Sequence, residues 1–242
     1  MHNNSDWLKN TVIAHRGVHD NDGIAENSKS AILKAIEEGV AVELDVNLTK
    51  DNVAIVFHDE TFSRLTNIDG YVNLTNYDDI KAEKLLKSQD HILTVKEATE
   101  IVNGQVPILF NISGSFPIAV SKFFFDAVKD YDGDMAVMSS NPYTLEWFKI
   151  NAPRIKRGQK AGAYKHLKPE FGKRGQLKKL KLNHVSEPNF IVYRIEDAKK
   201  RYFKETNKEN LPLILTTART NKDNLKAEQL NANMIAVRRP VV

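Results

Sequence analysis

Residues 11–46 read TVIAHRGVHDNDGIAENSKSAILKAIEEGVAVELDV, in which two short apolar runs flank one amphipathic segment. The first run, 11–14, and the last, 40–46, have the length and composition of β-strands. Between them, Asn27 or Ser28 can cap a helix whose apolar residues recur at helical spacing. The stretch therefore predicts a strand–helix–strand unit, which is the building block of parallel sheets.

The same alternation of strand-like and helix-like segments continues to the end of the chain. The sequence predicts strands over 11–14, 40–46, 53–57, 106–112, 135–138, 190–193, 211–215 and 234–237. It predicts further helices over 94–102, 116–129, 142–150, 173–181, 195–206 and 221–230. About eight strands in one α/β chain favour a (β/α)8 TIM-type barrel. The open doubly wound alternative is disfavoured, because neither a Gly-rich dinucleotide fingerprint nor a P-loop is present.

Length and composition restrict the class of protein. The chain has 242 residues, of which 41% are hydrophobic, enough for a substantial buried core. We interpret residues 1–242 as a single barrel domain. Because the sequence contains no cysteine, disulfides, thiolate catalysis and Cys-based metal sites are excluded. It contains neither a long apolar run nor a signal-peptide pattern, so we expect a cytoplasmic protein.

The net charge of +4 is unevenly distributed. Between 154 and 181 nearly every charged residue is positive, which suits contact with an anionic surface or an anionic substrate. The alternative is an ordinary solvated helix face with its loops. Aromatic residues are too few in this segment to stack on bases, so we do not expect nucleic acid as a partner.

Polar side chains lie at the ends of the first three predicted strands. His15 and Arg16 follow the first strand, Glu43 and Asp45 lie in the second, and His58 follows the third. In a barrel of this type the functional groups gather at the carboxyl ends of the strands. We therefore expect these five side chains to meet at one mouth of the barrel.

The two carboxylates have the spacing of a cation site. Glu43 and Asp45 are two residues apart on a predicted strand, so both side chains leave the same face. Two interior carboxylates repel each other unless a cation or protons intervene, and Mg2+ or Ca2+ is the natural neutraliser. The alternative is a polar pair satisfied by arginine or by backbone donors.

The histidines and the arginine suggest chemistry on a phosphate. His15 and His58 can form a general acid–base pair, because imidazole changes charge near neutral pH. Arg16 can hold a phosphate through a bidentate contact. The alternatives are structural histidines, and a salt bridge from Arg16 to Glu26 or Glu43.

Short motifs in a fixed order resemble those of a known family. They are His15-Arg16-Gly17, Glu26-Asn27, Glu43-Leu44-Asp45-Val46, Thr49-Lys50-Asp51, Val56-Phe57-His58-Asp59, Arg64-Leu65-Thr66 and Gly70. Weaker matches follow at Val106-Pro107, Ser140-Asn141-Pro142, Arg157-Gly158-Gln159 and Ala218-Arg219-Thr220. In order and spacing this set resembles the glycerophosphodiester phosphodiesterase family, over effectively the whole chain.

The resemblance implies both a fold and an activity. The fold is a TIM-type barrel of the phospholipase-C-like phosphodiesterase kind, with a small insertion after the second histidine, shortened here to residues 59–93. The activity is metal-dependent hydrolysis of a glycerophosphodiester to sn-glycerol 3-phosphate and an alcohol. The partner would be a small-molecule or lipid-derived glycerophosphodiester.

The resemblance also implies roles for individual residues. His15 and His58 would be the acid–base pair, and Arg16 would bind the phosphate. Glu43 and Asp45 would bind the divalent metal, Mg2+ or Ca2+.

The chain departs from the family pattern at three places. Asn111 and Ser113 stand where the family usually has Glu and Lys, so Asn111 can offer the metal only a carbonyl oxygen and the lysine charge is missing. Thr216-Thr217 replaces Trp-Thr, which removes an aromatic wall of the glycerol pocket. Residues 237–240 read VRRP where an acidic residue is common. Weakened metal affinity, an altered substrate or a degenerate site would each account for these changes.

Three functions follow from these residues. The leading hypothesis is a phosphoric diester hydrolase, with Glu26, Ser113 and Thr216 as further pocket residues. The second is a relative without catalytic activity that binds phosphodiesters through Arg16 and residues 154–181. The third is a phospholyase that uses the same histidines to form a cyclic phosphate. The sequence does not indicate an oligomeric state.

Overall fold

The computed structural model describes residues 6–113, 117–162, 176, 178–199 and 211–237. Its strands are β1 (Ile13–Ala14), β2 (Ala41–Leu48), β3 (Ala54–Val56), β4 (Ile108–Ile112), β5 (Met135–Ser139), β6 (Lys156–Ala161), β7 (Phe190–Arg194), β8 (Leu213–Ala218) and β9 (Asn233–Ala236). Its α-helices are α1 (Trp7–Asn10), α2 (Lys29–Glu37), α3 (Val95–Val102), α4 (Pro117–Val128), α5 (Pro142–Asn151), α6 (Asn183–Ser186) and α7 (Asn221–Gln229).

Eight of the described strands close into a parallel barrel. The order around it is β1, β2, β4, β5, β6, β7, β8 and β9, and β1 pairs with both β2 and β9. Helices connect most consecutive strands and cover the outside of the barrel. The predicted (β/α)8 barrel is therefore confirmed.

The predicted strand over 53–57 is not one of the barrel strands. The structure places it as β3, which pairs antiparallel with the upper half of β2 in the register Val46 to Val56 and Leu48 to Ala54. The reason is the length of the connection, because a parallel partner needs a crossover of about a dozen residues. Here a turn closed by the N–H of Asn52 on the carbonyl of Thr49 joins the two strands.

The eighth barrel strand lies where no strand was predicted. β6 has the sequence KRGQKA and takes its place between β5 and β7, within the stretch assigned to basic loops and helix. Arg157 is buried in it and donates to the backbone carbonyl of Glu187, so this arginine is not part of a basic surface. Most of the remaining basic segment lies outside the described residues.

Apart from the one over 195–206, the predicted helices agree with the structure where it describes them. Ser28, not Asn27, caps α2 by accepting the N–H of Ala31. Thr94 and Glu97 form a capping box at the start of α3. Most of the predicted helix over 173–181 lies outside the described residues. The predicted helix over 195–206 begins as a 3₁₀ turn, Ile195–Asp197, and its second half is not described.

The barrel interior is filled by apolar side chains from the lower parts of the strands. These side chains are Ile13, Ala41, Leu109, Ala136, Met138, Phe190, Val192, Ile214 and Ile235. Helix α1 closes the amino-terminal end, where Trp7 and Leu8 join the same cluster. The Asn233 side chain donates to the backbone carbonyl of Leu8 and holds this plug in place. Access to the barrel interior is therefore left at the opposite mouth.

The segment between β3 and α3 has little regular structure but has its own apolar cluster. It contains two 3₁₀ turns, Val72–Leu74 and Tyr77–Asp79. Phe62, Leu65 and Ile80 are fully or almost fully buried against the outer side of β3. The small insertion expected after the second histidine is thus present, and it has an apolar interior of its own. In the described ranges we find no helix that is long and apolar enough to cross a membrane.

Gly17 gives a test of how tightly the chain turns after β1. Its φ is +78°, and an added Cβ would lie 2.7 Å from the Cβ of Ala31 and 2.9 Å from that residue's backbone carbon. We expect Gly17→Ala to lower the free energy of unfolding by about 2–5 kcal/mol, because backbone strain and overpacking add. Chemical denaturation measures this loss.

Gly39 is the matched control for Gly17. It also has a positive φ, +63°, but nothing lies within 4 Å of an added Cβ. Gly39→Ala should therefore cost only the backbone strain, about 1–2 kcal/mol. Equal losses in the two variants would contradict the close approach of Gly17 to helix α2.

Candidate active site

The predicted polar residues meet at the open mouth of the barrel. Ala41 lies in the interior cluster. Glu43 and then Asp45 follow on the same face of β2, each one step closer to the open mouth. Asp45 pairs in register with Asn111 on β4. The backbone N–H of His15, directly after β1, donates to the carbonyl of Ala236 on β9. Four of the predicted site residues therefore share the upper inner wall.

Asp45 is the centre of a buried network of donors. Its Oδ1 accepts the side-chain amide of Asn111 at 2.7 Å. Its Oδ2 accepts the side-chain amide of Asn27 at 3.1 Å and lies 3.0 Å from Nε of Arg16, in an ion pair that is not aligned as a hydrogen bond. Burial would raise the pKa of this carboxyl, but the charges of His58 and Arg16 and the Asn111 hydrogen bond lower it. Asp45 is therefore ionised.

Glu43 behaves in the opposite way. It is buried, and its Oε2 accepts the backbone N–H of Arg16 at 2.9 Å. Burial and the neighbouring charge of Asp45 raise the pKa of Glu43 to about 8. The two carboxyl groups therefore share the mouth with one charge at neutral pH, as expected for acids in close contact.

The raised pKa of Glu43 predicts a pH dependence of stability. Its ordinary pKa is 4.5, so in the unfolded chain Glu43 ionises well below the folded pKa of about 8. The stability that the protonated carboxyl contributes is complete below pH 4.5 and is lost as the pH rises through 8. Glu43→Gln cannot ionise. As the pH rises from about 5 to 8, the free energy of unfolding of the wild type should therefore fall by more than about 1 kcal/mol relative to that of this variant.

Urea unfolding at a series of pH values, with a chelator present, measures this difference. Two stability curves that stay parallel from pH 5 to 8 would contradict the protonated state of Glu43.

His15 is held in its neutral form. Burial, and next the positive charge of Arg16, lower the pKa of its imidazole to about 3, although Asp45 acts in the opposite direction. At physiological pH the ring is therefore able to accept a proton. Its position after β1 places it beside the carboxylates of β2, because β1 and β2 are adjacent parallel strands.

His58 reaches the mouth by a different route. The antiparallel β3 runs back toward the barrel, and the N–H of Phe57 donates to the carbonyl of Asp45. Nδ1 of His58 lies 2.5 Å from Oδ1 of Asp59. The charge of His58 also acts on the Asp45 carboxylate. A carboxylate on one ring nitrogen fixes the orientation of the ring.

A chain of ion pairs continues from Asp59 to the barrel wall. Arg64 binds Asp59 through Nε at 2.5 Å and Glu26 through Nη2 at 2.7 Å. Glu26 also binds Nη1 of Arg16 at 2.6 Å, and these arginines hold its pKa below the usual range in spite of burial. The sequence alternative of a salt bridge from Arg16 to Glu26 is thus observed. Glu26 positions the two arginines, and its role as a pocket residue stays a prediction.

The remaining predicted pocket residues lie at the same end of the barrel. Thr216 is buried in β8, and its hydroxyl bonds that of Thr217 at 3.0 Å. Ser113 follows β4 and is exposed, and the residues after it are not described. That Thr216 and Ser113 line the substrate pocket stays a prediction.

The donors around the carboxylates do not fit a divalent ion in this arrangement. A hard cation takes six or more oxygen ligands, from carboxylates, carbonyls and waters, and needs the carboxylate oxygens free to face it. Here both oxygens of Asp45 accept N–H groups, and Asn111 presents its NH2 group to the site. Within the described ranges no three Asp, Glu, His or Cys side chains are close enough to share an ion. The Mg2+ or Ca2+ site at Glu43, Asp45 and Asn111 stays a prediction.

The sequence analysis missed one charged group at the mouth. Lys160 lies on β6, and its positive charge favours the ionised forms of Glu43 and Asp45. It also favours neutral His15. The signal in the sequence was that alternate residues of a strand share a face, which puts Lys160 on the same face as the small Gly158. It was hidden by the many lysines and arginines around it.

Two surface grooves of the described residues lie away from this mouth. One is bounded by the carboxyl ends of α3 and α4, with Glu100, Asp126 and Asp130 among its residues. Another lies near the amino-terminal end of the barrel, beside Lys9 and Asn231. Neither of these two grooves contains a residue of the predicted site.

Known proteins similar to this chain share both its sequence pattern and its barrel. A family model described as the glycerophosphoryl diester phosphodiesterase family matches residues 15–240. A protein of Caldanaerobacter subterraneus subsp. tengcongensis named glycerophosphodiester phosphodiesterase is 35% identical over 166 residues, covering 62% of this chain and 66% of that protein. Mouse glycerophosphodiester phosphodiesterase 1 is 32% identical over 120 residues, covering 45% of this chain and 35% of its own. The matched segments thus span less than two thirds of these relatives.

Solved structures show the same fold at lower sequence identity. A phosphodiesterase of Oleispira antarctica, crystallised with its product sn-glycerol 3-phosphate, superposes with a TM-score of 0.80 at 21% identity, over 94% of this chain and 92% of that one. A glycerophosphodiester phosphodiesterase of Thermotoga maritima gives 0.73 at 21% identity, over 94% of each chain. With the family match over nearly its whole length, the chain belongs to the glycerophosphoryl diester phosphodiesterase family.

Proposed function

We propose that this protein hydrolyses a glycerophosphodiester to sn-glycerol 3-phosphate and an alcohol, with His15 and His58 as its acid–base pair. The observation that carries the proposal is the common position of both histidines. Each of them interacts electrostatically with the same buried carboxylate, Asp45, at the barrel mouth. Family membership and the names of the relatives support the reaction class.

The two histidines suit different halves of the reaction. His15 is neutral and can take the proton of the attacking water, and a bound phosphodiester anion would raise its pKa toward the working pH. His58, with the Asp59 carboxylate on Nδ1, is suited to carry a proton to the leaving alkoxide. Water adds to phosphorus, the P–O bond to the alcohol breaks, and the proton taken by His15 balances the one given by His58.

Arg16 completes the site as a phosphate ligand. Glu26 and Asp45 hold its guanidinium at the mouth, and its backbone adopts a φ of +58° that directs the chain into the turn at Gly17. A guanidinium fixed by two carboxylates loses little further conformational entropy when it binds an anion. This preorganisation suits recognition of a single phosphate group.

Hydrolysis by this chain is tested by following products with 31P NMR. Purified protein is incubated with sn-glycero-3-phosphocholine in water enriched in 18O, both with a chelator and with added Mg2+, Ca2+ or Mn2+. The proposal predicts glycerol 3-phosphate that carries one 18O atom. A cyclic phosphate without 18O would show a phospholyase, and binding of the diester without turnover would show a non-catalytic relative.

The same assay tests the divalent ion that the sequence predicts. If Glu43, Asp45 and Asn111 hold Mg2+ or Ca2+, the chelator should abolish turnover and the ion should restore it. When bound, such an ion would supply positive charge against the phosphoryl oxygens.

A further inference from the structure

Lys160 projects into the barrel mouth because of its place on β6. Gly158 lies two residues earlier, on the same face of the strand. A Cβ added to it would lie 2.1 Å from the ring of Phe190, which belongs to the interior cluster. Lys160 pairs in register with Val192, another member of that cluster. The alternating residue, Gln159, faces outward and accepts the hydroxyl of Ser186. Lys160 therefore faces inward, one residue before β6 ends.

The surroundings of Lys160 are those of an anion-binding group. Its charge acts on Glu43, Asp45 and His15, which places the ammonium group in the site that contains the proposed base. The side chain is only partly buried, so it keeps access to a ligand entering the mouth. Arg16 is another cation close to these residues, and its guanidinium binds Glu26 and Asp45.

The carboxylates also favour a cation supplied by the protein. Both oxygens of Asp45 accept side-chain amide N–H groups, and Oε2 of Glu43 accepts the backbone N–H of Arg16, so protein donors already occupy three of the four carboxylate oxygens. The ammonium of Lys160 brings positive charge to this mouth while those donors stay in place. A divalent ion would instead have to displace the amides of Asn27 and Asn111 from Asp45.

We propose that Lys160 binds the substrate phosphate and supplies, together with Arg16, the positive charge for which the sequence pattern suggested a divalent ion. This rests on the proposed function, since it assigns a ligand to the same mouth. A lysine ammonium is a compact charge with three donors, and it can contact two phosphate oxygens while remaining near Asp45. Lys160 is a substrate-binding residue in this account, and His15 and His58 keep the proton transfers.

The test measures binding of glycerol 3-phosphate by calorimetry to protein freed of metal with a chelator. Lys160→Met should weaken binding by about 10- to 100-fold, which corresponds to one hydrogen bond to a charged group. Lys160→Arg keeps the charge and should stay within about fivefold of the wild type. Lys156→Met removes a lysine from the same face of β6 at the opposite end of the barrel, and should change binding less than twofold.

Further measurements separate this proposal from its alternatives. If Lys160→Met proves unfolded by circular dichroism, Lys160→Gln takes its place. Lys160→Met and Lys160→Gln should both raise KM for the diester more than they lower kcat. Unchanged binding in a folded neutral variant would overturn the proposal, and so would wild-type binding that requires Mg2+ or Ca2+. If the wild type binds glycerol 3-phosphate through Lys160 but cleaves no diester, the hydrolase function fails while the phosphate site of Lys160 is supported.

Discussion

Replacing His15 or His58 by alanine is expected to lower kcat for phosphodiester cleavage by about 10²- to 10⁴-fold, the usual contribution of a general acid or base. Both histidines lie at one mouth, where His15 is neutral and His58 is held by Asp59. The measurement is the rate of glycerol 3-phosphate release at saturating substrate. His184→Ala is the control, because this ring is exposed and bonds the backbone carbonyl of Lys181, and the variant should keep wild-type activity.

The double variant sharpens this prediction. If His15 and His58 act on one transition state, the second alanine substitution should lower kcat much less than the first one does. The effects of groups that act as a unit on kcat are not additive. Single variants that are correctly folded and retain more than about a tenth of wild-type kcat would contradict the acid–base roles.

Removing the Asp45 side chain should produce the largest loss of stability at the mouth. Asp45→Ala leaves the buried amides of Asn27 and Asn111 without their acceptor and takes one carboxylate from Arg16. We expect the free energy of unfolding to fall by about 2–4 kcal/mol, because buried donors and charges lose their partners. Urea unfolding at pH 7 measures this change.

An exposed aspartate provides the comparison. Asp78 is 82% exposed and pairs with Lys81 on the surface, so Asp78→Ala should change stability by less than about 0.5 kcal/mol. Asp45→Asn keeps the shape of the side chain and loses its charge. Its loss in free energy of unfolding should lie between those of Asp45→Ala and Asp78→Ala. A cost for Asp45→Ala as small as that for Asp78→Ala would contradict the buried network.

The fold could be predicted because its alternating pattern is strong, and its two errors have physical causes. The connection between β2 and β3 is too short for a parallel crossover, so the sequence already contained the evidence that β3 forms a hairpin. Composition points the other way, because the residues of β3 are as apolar as those of a barrel strand.

The missing strand β6 was harder to find. Its sequence is polar on both faces, since Arg157 and Gln159 bond the backbone and side chains of the α6 region outside, while Lys160 lies in the mouth inside. A strand that carries part of a polar site lacks the apolar run by which strands are recognised. Only its neighbours in the closed barrel identify it.

The candidate site was predicted in part for the same reason. His15, Glu43 and Asp45 follow from strand periodicity and from the convergence of strand ends in a barrel. The groups that orient them could not be derived in this way. Asn27 contacts Asp45, and Arg64 contacts Glu26, across 18 and 38 residues of sequence, and no local pattern encodes those pairings.

The central claim is that the imidazoles of His15 and His58 flank one phosphate group at the barrel mouth. The most direct measurement is 15N NMR of the histidine side chains during a titration with glycerol 3-phosphate, in the presence of a chelator. The single alanine variants assign the two rings. The account predicts that the signals of both rings shift and follow one saturation curve. If only one ring responds, or if the two respond with different affinities, the phosphate does not lie between them.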